Sequence, residues 1–133
     1  MKPAVLLLLS LLLGFGQCGQ PRNPLVGKYT VEGRNFDGKR IFGGTLSIDT
    51  FENGEVKGLC KLVDVDPSLG FGKDGPWIGE VNGDEIVLDL APLMDDGGVI
   101  LEGHWREGRL SGTVRVDSFV GARDVGTFEA TRQ

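Results

Sequence analysis

The chain has 133 residues, a formal net charge of −5, 40 % hydrophobic residues, 22 glycines and 6 prolines. That suffices for one domain and excludes disordered and collagen-like classes. With 19 acidic residues against 14 basic ones, a phosphate-backbone ligand is not expected, because such proteins carry a clustered basic surface.

Residues 1–19 read as a signal peptide: Lys2 precedes an apolar run from Ala4 to Leu13, broken by Ser10 and too short to span a bilayer. Three readings of the next stretch stand side by side. Gly14-Phe15-Gly16 offers small residues for cleavage near Gln17. Alternatively, Cys18 is the lipidated first residue of a bacterial lipoprotein, although Gln17 departs from the small residue that a lipobox places there. In the third, Cys18 pairs with Cys60 in an oxidising compartment. Residues 20–25 form a tether, and 26–133 a single domain.

The domain alternates with a period of two. Val26–Val31 is a strand with Gly27, Tyr29 and Val31 on one face, followed by a loop over 33–40. Gly44–Asp49 is the second strand. A three-residue loop, Glu52-Asn53-Gly54, then pairs Ile48 with Gly58 and Leu46 with Cys60, which keeps Lys57 and Lys61 in water. Val56–Val63 leads into a long loop over 64–76. Trp77–Val81 and Glu85–Leu90 form a hairpin about Asn82-Gly83, pairing Gly79 with Ile86 and Trp77 with Leu88. A loop over 91–98 follows.

Val99–Val116 reads as a second hairpin folded at Glu107-Gly108. Its buried row contains Val99, Leu101, Gly103, Trp105, Leu110, Gly112, Val114 and Val116; the other face is mostly polar. After a loop over 117–124, Val125–Arg132 is the eighth strand, and no stretch has helical periodicity. Eight half-polar sequential strands with local connections predict an all-β, eight-stranded antiparallel up-and-down β-barrel, with a two-sheet β-sandwich as the alternative. Closure removes both sheet edges.

Gly27-x-Tyr29 on the first strand and Arg132 at the end of the last resemble the calycin group, the lipocalin-like and avidin-like small β-barrels. In lipocalins a Gly-x-Trp opens the barrel and a late Arg packs over that Trp; here Tyr stands for Trp. The resemblance implies that Tyr29 and Arg132 close the barrel's floor.

A meander sends its loops to alternate ends. The short turns at 52–54, 82–83 and 107–108 share one end, and the loops at 33–40, 64–76, 91–98 and 117–124 share the other. The second set carries apolar residues that solvated loops do not need. Candidate ligand-binding residues are therefore Phe36, Leu69, Phe71, Leu93, Met94 and Phe119, with the inward Trp77 and Trp105. His104 falls on the outward face without an identifiable Ser or Cys partner, so no catalytic residue is assigned. Loop acids such as Asp64, Asp66, Asp95 and Asp96 lack calcium-loop spacing, and neither metal nor cofactor is expected.

The expected function is an exported or lipid-anchored, non-enzymatic barrel that binds a small, partly apolar ligand at its long-loop end. The competing expectation is an envelope protein-binding or inhibitor module whose barrel is filled by its own side chains. Membrane contact is expected only through a lipid anchor.

Overall fold

The computed structural model describes residues 24–69, 74–91, 97–118 and 121–133. The eight strands are β1 Gly27–Asn35, β2 Arg40–Glu52, β3 Glu55–Val63, β4 Asp74–Asn82, β5 Glu85–Asp89, β6 Gly97–Arg106, β7 Arg109–Ser118 and β8 Gly121–Arg132. Each pairs antiparallel with the next, and β1 pairs with β8, so the sheet is a closed barrel rather than a sandwich. A 3-10 turn, Pro67–Leu69, lies between β3 and β4.

The β6–β7 hairpin has the register that alternation predicts: Val99↔Val116, Leu101↔Val114, Gly103↔Gly112 and Trp105↔Leu110. Its turn residues, Glu107 (φ 45°) and Gly108 (φ 80°), are both left-handed, as a type I′ turn requires. The β2–β3 register also agrees, with Ile48↔Gly58 and Leu46↔Cys60. Its cause differs from the expected three-residue loop. Asn53 (φ 52°) and Gly54 (φ 81°) make a two-residue turn, and a bulge at Asp49 supplies the extra residue that keeps Lys57 and Lys61 outside.

The β4–β5 register is displaced by two residues from expectation: Gly79 pairs with Leu88 and Val81 with Ile86. The turn is Gly83-Asp84, with Gly83 at φ 68° in the first central position, as in a type II′ turn. Trp105 clamps this turn, donating its backbone N–H to Asp84 O (2.9 Å) and its Nε1–H to Gly83 O (3.0 Å). Two expected loops are mostly strand. β1 and β2 extend to Asn35 and Arg40 around a tight turn, and β7 and β8 leave only residues 119–120 between them.

The interior is built by setting large side chains against glycine. Trp77 faces Gly58, Phe42 faces Gly33, and Phe128 lies between Gly33 and Gly112. A Cβ on Gly33 would stand 2.3 Å from the Phe42 ring. At Gly103 and Gly112 the reason is backbone approach, since a Cβ would meet Ser111 O at 1.9 Å and Glu102 O at 2.0 Å respectively. Trp77, Tyr29, Phe42, Leu46, Leu88, Leu101 and Leu110 are all buried, and Cys60 is a buried free thiol. Burial pushes the Cys60 thiol pKa up, the nearby Asp74 carboxylate adds to this, and the Gly75 backbone opposes it.

The short-turn end is closed by Leu25, which is fully buried. Tyr29 donates its hydroxyl hydrogen to Leu25 O at 2.6 Å. The Arg132 guanidinium lies over the Tyr29 ring, 5.5 Å from its centroid, and donates to Val26 O at 3.0 Å. Gly27 makes room for it, because a Cβ there would stand 2.8 Å from Arg132 Nη1. Burial raises the Tyr29 pKa above the ordinary value of 10.0, against the opposing effect of Arg132.

Two outcomes test this fold. Gly112→Val is expected to destabilise the domain by about 1–3 kcal/mol through overpacking and strand displacement. Ser111→Val on the outer face should stay within about 0.5 kcal/mol. Denaturant unfolding measures both, and an unchanged midpoint for the glycine variant would refute the close strand approach. Tyr29 is the chain's single tyrosine, so its ionisation is readable from tyrosinate absorbance. With the folded pKa above 10.0, the unfolded state loses its proton first. Stability is therefore present below pH 10 and falls as pH rises from there through the folded pKa. Tyr29→Phe should remove that alkaline component.

Candidate functional site: a seam in the barrel wall

Among the described residues, the pairing of β4 with β5 is partial. β4 has nine residues and β5 five, and their pairing runs only from Ile78↔Asp89 to Asn82↔Glu85. Asp74 to Trp77 pair with β3 but have no partner on the β5 side among the described residues. Local chemistry explains the early end of β5 pairing. The Asp89 side chain accepts from Ala91 N at 3.0 Å, turning the chain out of the strand. On β4, two residues before Asp89's partner Ile78, Pro76 lacks an N–H and suits an unpaired strand edge.

The seam lies at the longer-connection end, above an apolar interior. Trp77, Leu88, Leu90 and Val99 are buried in the core, and Leu69 joins that core from the 3-10 turn rather than from a strand. That turn is fixed by Asp66. Its backbone N–H donates to Ile41 O at 2.8 Å, its carboxylate accepts from Ser68 N at 2.9 Å, and its carbonyl accepts from Leu69 N at 3.0 Å. The Ser68 backbone and hydroxyl donors hold the Asp66 carboxyl below its usual pKa range, with Lys39 adding a smaller pull. Trp77 satisfies its indole N–H on Ser47 O at 3.1 Å, so its buried ring leaves no donor stranded.

The structure brings only some of the candidate residues together. Leu69 and Trp77 both belong to the buried core. Phe36 sits in the β1–β2 turn, 67 % exposed. Trp105 is at the opposite end, where its hydrogen bonds to the Gly83-Asp84 turn give it a structural task. Phe71, Leu93, Met94, Phe119 and Cys18 lie outside the described residues. Tyr29 and Arg132 meet at the short-turn end, as described above.

Sequence reasoning missed Ile41 and Phe42, both buried near this end. A bulge at Ile41 turns these successive residues inward together, which alternation does not anticipate. The visible signal was Gly33, whose missing side chain leaves room for the Phe42 ring. His104 is exposed, with Nδ1 3.6 Å from Asp84 Oδ1. Ser111 is its cross-strand neighbour on β7, and no hydrogen bond joins them.

No protein-family model and no curated protein matches the sequence. Among solved structures the chain is similar to a de novo designed fluorescence-activating β-barrel. The TM-score is 0.50 and the identity 20 %, over 83 % of this chain and 94 % of that one. The likeness establishes a shared fold: an eight-stranded antiparallel barrel.

If Leu69 and Trp77 form one core at the seam, Leu69→Ala should leave a cavity there. It is expected to cost about 2–5 kcal/mol in unfolding stability and to alter Trp77 emission. Recording the spectrum in a Trp105→Phe background isolates Trp77. An unchanged spectrum would separate the two residues.

Proposed function

We propose that this protein is an exported, non-enzymatic binding barrel that takes a small, partly apolar molecule at the β4–β5 seam. One observation carries the reading. Among the described residues, Asp74–Trp77 have no strand partner on the β5 side, and the buried core includes Leu69, Trp77, Leu88 and Leu90. Barrel mouths and sheet interruptions are places where ligands reach an apolar interior without dismantling the sheet. The barrel axis is occupied by the chain's own side chains, so the ligand sits at the seam and upper core.

The likeness of Gly27-x-Tyr29 and Arg132 to calycins supports a carrier-type role. The leader over residues 1–19 supports export, and Cys18 is the lipid-attachment candidate. A mass measurement on protein from its own host reads both points. The start residue gives the cleavage site, and the excess mass on Cys18 shows whether lipid is attached.

The binding test uses a neutral solvatochromic dye such as Nile red. Titration should blue-shift the dye and quench Trp77 in the Trp105→Phe variant. Leu69→Arg should abolish both signals, the comparison being made at a temperature where circular dichroism shows the barrel still folded. Dye binding that survives Leu69→Arg, or no binding at all, would overturn the seam as the site.

A further inference from the structure

We draw no further inference here: the strongest candidate, the exposed apolar patch of Leu59, Val63 and Ile78 on the outer faces of β3 and β4, carries nothing because nothing in the structure shows what covers it.

Discussion

The interior volume of an eight-stranded barrel constrains everything else in this molecule. Such a barrel has room for side chains and little more, so each large inward residue needs a small one opposite. The chain meets this by pairing aromatics with glycine: Trp77 with Gly58, Phe42 with Gly33, and Phe128 with both Gly33 and Gly112. Glycine does a second thing at the same positions. Without a Cβ, neighbouring backbones close to distances that no other residue permits, as at Gly103 against Ser111 O. The sheet therefore coils tightly enough to bring β1 to β8.

Register is the next consequence. Bulges at Ile41, Asp49 and Val125 each place two residues against one. They let turn geometry and face assignment be satisfied separately. At Asp49, a two-residue type I′ turn and water-facing lysines are incompatible in a regular ladder, and one extra residue reconciles them. Just before that bulge, Ser47 O accepts the Trp77 indole N–H. The largest core side chain thus keeps its polar atom satisfied by a strand carbonyl rather than by a buried polar side chain, and there are no buried polar residues among those described.

Much of this was legible in the sequence, and the failures have specific causes. The β6–β7 hairpin could be read to the residue because both arms alternate cleanly and Glu107-Gly108 is central to them. The β4–β5 hairpin was displaced by two, a shift that returns every side chain to the same face and is invisible to hydrophobic alternation. Turn chemistry had to decide, and Asn82-Gly83 and Gly83-Asp84 are both acceptable turns; the Trp105 hydrogen bonds to Gly83 O and Asp84 O favour the second. The loops at 33–40 and 117–124 looked long because Arg34, Asn35, Arg40, Arg123 and Asp124 carry strand geometry without apolar alternation. Of the candidate residues, Leu69 and Trp77 belong to the buried core, while Trp105 lies at the short-turn end on the Gly83-Asp84 turn, where its distance of two residues from Glu107-Gly108 puts it.

The two ends of the barrel differ in how they are finished, and that difference bears on function. At the short-turn end, Leu25, Tyr29 and Arg132 form a sealed unit in which a side chain from the last strand holds the backbone before the first. The chain preceding Leu25 therefore leaves from the sealed floor. The seam is at the other end, where β5 stops short and a 3-10 turn rather than a strand provides Leu69. If the chain is anchored through the residues before Leu25, as proposed, the pull falls on the part of the barrel with its own latch. The partly paired β4–β5 stretch is at the end opposite such an anchor. A binding site at the floor would have to open the Tyr29–Arg132 latch, a constraint that the described residues at the β4–β5 seam do not impose.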